Sequence, residues 1–170
     1  PNVHNPSLYF YNPSLIRALR TPQIYSASSV DQLPKQLASA LMFGGAQTVA
    51  VPDIDRTDYM IMLGANPFVS NGSMWTCPDV PGRVKALKAR GGKLVVIDPF
   101  HTITAKNASE HIRIRPGADA YLLFAMVYVL FEENLVNTGR LGEHLYGLEL
   151  VRAAARAFAP DVVADRTSIA

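Results

Sequence analysis

DYMIMLGANP, residues 58–67, and GGKLVVIDPF, residues 91–100, are built alike, and together they decide the fold. Each contains an uninterrupted apolar run, YMIML over 59–63 and LVVI over 94–97. Each run stops abruptly, the first at Gly64 and the second at Asp98. A strand with one wet face alternates apolar and polar residues. A strand that is apolar at every position belongs to a sheet covered on both faces, and such sheets are usually parallel. The intervening segment predicts the crossover helix that a parallel pair requires. Asp79 is placed to cap it, Pro81 suits its first turn, Val84 and Leu87 share a face, and Gly91-Gly92 closes it after Arg90. The unit is therefore strand, helix, strand.

Downstream, HIRIR over 111–115 alternates with period two and predicts an edge strand. Pro116-Gly117 turns the chain. Asp119–Glu133 then predicts a helix that is apolar almost all round, and a helix of that kind is expected to be buried. A weaker helical pattern over Leu148–Phe158 is expected to end at Pro160. Upstream, Leu33–Phe43 predicts a helix with Asp31 as its N-cap, Pro34 in its first turn and Gly44-Gly45 as its stop. Ile24–Ser28 (IYSAS) predicts a short strand. Leu8–Leu19 predicts a helix that begins or breaks at Pro13. Strands alternating with helices specify an α/β fold, doubly wound around a mostly parallel sheet with helices on both faces. A single Rossmann-like domain over residues 1–170 is expected.

Composition narrows the function classes. A chain of 170 residues with 49% hydrophobic and 18% charged residues supports one ordinary core and is not disordered. The net charge of +2, with no Lys/Arg run, lacks the basic footprint of a nucleic-acid binder. One cysteine, Cys77, excludes an intrachain disulfide and any iron–sulfur cluster held by cysteines of this chain alone. The apolar stretch Tyr121–Phe131 is shorter than the roughly 20 residues that cross a bilayer, so no membrane insertion is expected. The first residues do not form a signal peptide, and a cytoplasmic location is expected. The chain starts at Pro1, and both of its ends read as internal to a longer polypeptide.

Ligands of open α/β sheets bind at the carboxyl ends of the strands. Two polar segments are expected there. Gly64, Ala65, Asn66 and Pro67 follow the first run and continue to Ser70 and Asn71. Asp98, Pro99, Phe100, His101 and Thr102 follow the second. Gly64 lets backbone approach a ligand, Asn66 offers donors and an acceptor, and Asp98 can accept from ribose hydroxyls. Asn-Pro, Asn-Gly and Asp-Pro are also ordinary turn formers, so both readings stand at this point. Asp119 is either the cap of its helix or a carboxylate matched to the paired N–H donors of guanine. No Gly-x-Gly-x-x-Gly follows a strand, and no phosphate-binding lysine loop occurs. Cys77 reads as structural, and Met42, Met60, Met62 and Met126 read as packing residues.

The run DYMIMLGANPFVSNG, followed by GGKLVVIDPFHTITAKNASEHIRIRPGADAYLLFAM, resembles the molybdopterin oxidoreductase family. This family includes formate dehydrogenases, nitrate reductases and dimethyl-sulfoxide reductases. The resemblance is best over Asp58–Leu135. It implies an internal fragment of a molybdenum or tungsten oxidoreductase that binds the guanosine and phosphate part of one molybdopterin guanine dinucleotide. It implies that Gly64, Ala65, Asn66 and Pro67 face the cofactor's phosphate and pterin side. It likewise implies that Asp98, Pro99, Phe100, His101 and Thr102 contact the nucleotide, and that Gly117, Ala118 and Asp119 read the guanine. Ser70 and Asn71 are counted with the first loop. An arginine is common in the family where Phe100 stands. Many members carry a cysteine, selenocysteine or serine metal ligand in the region that SSVDQLPKQLAS (28–39) matches. Here Leu37 falls at that position, so an oxygen ligand such as Asp31 or Ser39, or no protein ligand, is expected. The expected partners are the remaining domains of the parent enzyme and a redox subunit. An iron–sulfur cluster is expected only in an N-terminal part outside this chain. Two alternatives are a noncatalytic relative, such as the large iron–sulfur subunit of respiratory NADH dehydrogenase, and a fragment of an NAD-dependent dehydrogenase.

Overall fold

The computed structural model describes residues 5–25, 28–72 and 75–169. The chain divides into two units, one of residues 1–52 and 73–75, the other of residues 53–72 and 76–170.

The second unit is organised by a three-stranded parallel sheet in the order β1-β2-β3, with β1 Tyr59–Leu63, β2 Lys93–Ile97 and β3 Glu110–Ile112. Tyr59 pairs with Lys93 and Leu63 with Ile97. Val95 pairs with Glu110 and Ile97 with Ile112. β2 is thus the central strand, and its backbone is paired on both edges. Side chains alternate across a strand, so Leu94 and Val96 point to one face and Val95 and Ile97 to the other. All four are 4% exposed or less. Val95 and Ile97 join Ile114 and Ala118 in one core cluster, with Ile112, Tyr121 and Leu122 packed against it.

Helix α5 (Val80–Ala89) supplies the crossover between β1 and β2. Asp79 caps it as expected, its Oδ1 accepting from Gly82 N at 3.1 Å. Leu87 of α5 is fully buried. Gly92 marks a close approach of backbones. A Cβ there would lie 2.3 Å from Leu87 Cδ1 and 3.0 Å from the Asp58 carbonyl. Two single-turn helices follow the strands, α4 (Pro67–Ser70) after β1 and α6 (Ile103–Lys106) after β2.

The helical end of this unit departs from expectation in the exposure of one helix. Helix α7 (Asp119–Glu132) forms where expected, yet Ala125 is its one buried residue. Leu123, Phe124, Met126 and Leu130 are between 37% and 46% exposed. Within this chain α7 packs on only part of its circumference, against the sheet's core cluster through Tyr121 and Leu122 and against α8 (Leu148–Ala155), the 3-10 turn Arg156–Phe158 and α9 (Pro160–Thr167). Phe124 stacks on Phe158 with centroids 4.7 Å apart. The pattern over Leu148–Phe158 forms as α8 and the 3-10 turn and ends before Pro160 as expected, and Pro160 then opens α9 at the first position, where a missing N–H costs nothing. Another 3-10 segment, Gly139–His144, precedes α8.

The first unit holds α1 (Pro6–Leu19), α2 (Ser28–Asp31) and α3 (Leu33–Phe43). Helix α1 runs through Pro13 instead of starting there. Its start signals lie upstream, with Asn5 Oδ1 accepting from Leu8 N at 3.3 Å and Pro6 in the first turn. The strand expected at Ile24–Ser28 does not form at Ile24 and Tyr25, and Ser28 begins α2. Residues 26 and 27 lie outside the described residues. Helix α3 has the expected bounds and its Gly44 stop, but Gln32, not Asp31, holds the cap position and makes no side-chain bond. Among the described residues no helix is long and apolar enough to cross a membrane.

Candidate functional site

The three parallel strands end on one edge of the sheet, and the segments singled out by the sequence leave from that edge. The bond from Gly64 N to Ile97 O (2.9 Å) carries the β1–β2 pairing one step past the last paired residues. Gly64 turns away with φ +61°, a left-handed conformation suited to glycine, and the space a Cβ would take is open. Ala65 and Asn66 follow, half-buried, and Pro67 is buried at the start of α4.

Asn66 occupies the cap position of α4 without capping it. Its Oδ1 instead accepts from Thr104 Oγ1 at 2.7 Å and from Thr104 N at 3.4 Å. Thr104 is fully buried in α6 and also accepts from Phe68 N at 3.2 Å. It therefore joins the loop after β1 to the helix after β2. Ser70 Oγ donates to Asn66 O at 3.3 Å and accepts from Gly72 N at 3.2 Å. Asn71 closes α4 in a left-handed conformation, and its carbonyl accepts from Cys77 N at 3.0 Å.

Asp98 is 8% exposed at the end of β2. Its Oδ1 accepts from Phe100 N at 2.8 Å, which makes the Asp-Pro turn, and its backbone N donates to Ile112 O at 3.1 Å. Oδ2 has no hydrogen-bond partner among the described residues. Pro99 is exposed, and Phe100 is 73% exposed. His101 stacks on His111 of β3, with centroids 4.8 Å apart and planes 11° from parallel. His111 Nε2 lies 2.9 Å from the Asp98 carbonyl, which can only accept, so this nitrogen carries the proton. Thr102 caps α6 through Ala105 N at 3.1 Å.

β3 ends on the same edge, and the chain continues from there. Arg115 N donates to Thr167 O of α9 at 2.9 Å, and Gly117 turns the chain. Ala118 is buried against Ile97, Val95 and Ile114. Ala118 takes the cap position of α7, so Asp119 stands in the first turn. Its side chain is exposed and has no hydrogen-bond partner among the described residues. The capping role open to Asp119 from its position is therefore not the one its carboxylate performs. All three groups thus leave the carboxyl edge, and the bonds to Asn66 and Asp98 fix the first two against neighbouring segments. Thr104 and His111 were not legible as site residues, because their partners lie 38 and 13 residues away in sequence.

The residues considered as metal ligands behave differently. Asp31 is exposed at the end of α2, Leu37 is 59% exposed, and Ser39 is buried in α3. Among the described residues no cluster of three or more His, Cys, Asp or Glu is arranged to hold a metal ion. Cys77 is buried, and burial pushes its thiol above the ordinary range, opposed by the nearby Arg83 cation.

Known proteins place this architecture. A family model described as molybdopterin oxidoreductase matches residues 9–160. The alpha subunit of a formate dehydrogenase from Methanocaldococcus jannaschii is 30% identical over 145 residues, covering 85% of this chain and 21% of that protein. Formate dehydrogenase H from Escherichia coli is 34% identical over 125 residues, covering 74% of this chain and 17% of that protein. The solved structure of acetylene hydratase from Pelobacter acetylenicus superposes with a TM-score of 0.59 at 26% identity, covering 69% of this chain and 16% of that one. The chain spans about a fifth of the length of these relatives. With the family model matched over nearly its whole length, the chain belongs to the molybdopterin oxidoreductase family.

Proposed function

We propose that the carboxyl edge of this sheet binds the guanosine and phosphate part of one molybdopterin guanine dinucleotide. Residues 1–170 would then serve one cofactor-binding domain of a longer oxidoreductase. Family membership implies a molybdopterin cofactor. The dinucleotide form is supported by the groups this edge presents. Asn66 retains an unused carboxamide NH2, matched to phosphate oxygens. Asp98 retains Oδ2, matched to ribose hydroxyls. Asp119 presents a free carboxylate in the first turn of α7, matched to the paired N1–H and N2–H₂ donors of guanine. Gly64, Ala65 and Pro67 hold the first loop close to the edge, with Ser70 and Asn71 completing it. Pro99, Phe100, His101 and Thr102 shape the second, and Gly117 and Ala118 aim Asp119.

The observation that carries this reading is the exposed Asp119 carboxylate, without a hydrogen-bond partner among the described residues, in the first turn of the helix that follows the third strand. When bound, the cofactor's metal, molybdenum or tungsten, supplies electron transfer with oxo or hydride transfer, while this part of the protein binds and orients. The isolated chain holds only a share of the cofactor's contacts and would be catalytically inactive. The family match does not favour the noncatalytic relative or the NAD-dependent fragment.

Titration of the chain with GDP, GMP, ADP and NAD, followed by melting temperature, tests the reading. Binding to the native state alone raises the melting temperature by mass action. A shift with GDP and GMP that exceeds those with ADP and NAD is expected. Asp119→Asn replaces one acceptor oxygen with a donor facing the guanine, and it is expected to weaken GDP at least about tenfold. Equal shifts with GDP and ADP, or unchanged GDP binding by the variant, would overturn the assignment.

A further inference from the structure

An asparagine at a helix N-cap ordinarily spends its side-chain oxygen on the first free N–H groups of its own helix. Asn66 does not, although it stands at the cap of α4. Phe68 N is served instead by Thr104 Oγ1, from 36 residues away. The same hydroxyl donates to Asn66 Oδ1 at 2.7 Å, and Thr104 N adds a second donor at 3.4 Å. Thr104 N can only donate, which identifies the atom it faces as the carbonyl oxygen, and the hydroxyl then donates to that oxygen as well. The orientation of the carboxamide is thereby set, and Nδ2 is left with no partner among the described residues. Thr104 itself is 0% exposed and cannot touch a ligand.

We propose that Thr104 is a positioning residue for the cofactor edge. By capping α4 in place of Asn66 and holding Asn66 Oδ1, it presents the Asn66 NH2 as a fixed donor to a phosphate oxygen of the bound nucleotide. The ligand half of this proposal rests on the nucleotide reading above, whereas the clamp itself does not. The hydroxyl fills two roles at once, accepting from one backbone N–H and donating to one carbonyl. Serine can reproduce both roles, and valine, of nearly the same shape, can reproduce neither.

The test compares the whole chain with its Thr104→Ser, Thr104→Val and Asn66→Asp variants. The first readout is the mobility of the Asn66 side-chain NH2 group, from ¹⁵N relaxation in ligand-free protein, with Asn66→Asp identifying the signal. We expect a rigid group in the wild type and in Thr104→Ser, and a mobile one in Thr104→Val. An Asn66 group as mobile in the wild type as that of exposed Asn134 overturns the clamp without any variant, should Thr104→Val fail to fold. Equal rigidity in a folded Thr104→Val overturns it as well. The second readout is GDP affinity by calorimetry. It is expected to fall about tenfold in Thr104→Val, to recover in Thr104→Ser, and to fall further in Asn66→Asp, where an anionic acceptor replaces the donor. Full-affinity GDP binding by Thr104→Val overturns the link to the ligand. A rigid Asn66 in a wild type that binds no GDP upholds the clamp and overturns the nucleotide half.

Discussion

Leu94, Val95, Val96 and Ile97 of β2 are each 4% exposed or less, whereas α7, equally apolar in sequence, buries Ala125 alone. The two segments differ in what surrounds them. β2 has a hydrogen-bonded neighbour on each edge, and its side chains are buried on both faces. α7 meets the sheet's core cluster only through Tyr121 and Leu122 at its start, and beyond that α8, α9 and one 3-10 turn, which leave Leu123, Phe124, Met126 and Leu130 partly open. An apolar run is a demand for cover. It does not say which stretch of polypeptide provides that cover, and this chain spans only about a fifth of the relatives it matches.

Substitutions turn this contrast into measured differences. Leu94→Ala empties a fully buried position on the central strand and is expected to cost about 3–5 kcal/mol, read from the urea midpoint at unchanged slope. Leu123→Ala removes side-chain atoms that already meet solvent, and less than about 1 kcal/mol is expected. Comparable costs at the two positions would show that α7 is covered in solution after all and would break the comparison. The smallest effect concerns Cys77, a buried thiol outside both segments. Its raised pKa means that folding favours the neutral form. That contribution is complete below the ordinary thiol value of 9.0 and is lost as pH rises through the higher folded value. Stability is therefore expected to decline from about pH 9 upward. The Cys77→Ala variant should decline less over the same range, and identical pH profiles would refute the burial account.

The same contrast explains what the sequence made legible. β1, α5 and β2 follow from local signals, namely unbroken apolar runs, an Asp79 cap and a Gly-Gly stop, and all three form within a residue of the expected bounds. The positions of Gly64, Asn66 and Asp98 follow as well, because a parallel strand puts whatever comes next on the carboxyl edge. The missed features are those settled by distant partners. Pro160 stops the pattern over Leu148–Phe158 as expected, but α9, which it opens and which packs against α7, was not foreseen. IYSAS had strand-like residues, but no strand forms at Ile24 and Tyr25. The interval from Asn66 to Thr104 gave no hint that the Thr104 hydroxyl serves both Phe68 N of α4 and Asn66 Oδ1. Asp119 looked like a cap, and only the backbone shows Ala118 in that place.

The bond from Arg115 N to Thr167 O fastens the approach to Asp119 to a helix that lies far downstream in sequence. Thr167 is 1% exposed, and its own hydroxyl donates back into α9 at the Val163 carbonyl. The loop before α7 is therefore restrained at its base by folding, before any ligand arrives. If Asp119 meets a ligand as proposed, the entropy of stilling that loop falls on the folding reaction and not on the binding one. On the proposed reading, helix α9 would in this way preserve part of the affinity of a contact made elsewhere on the chain.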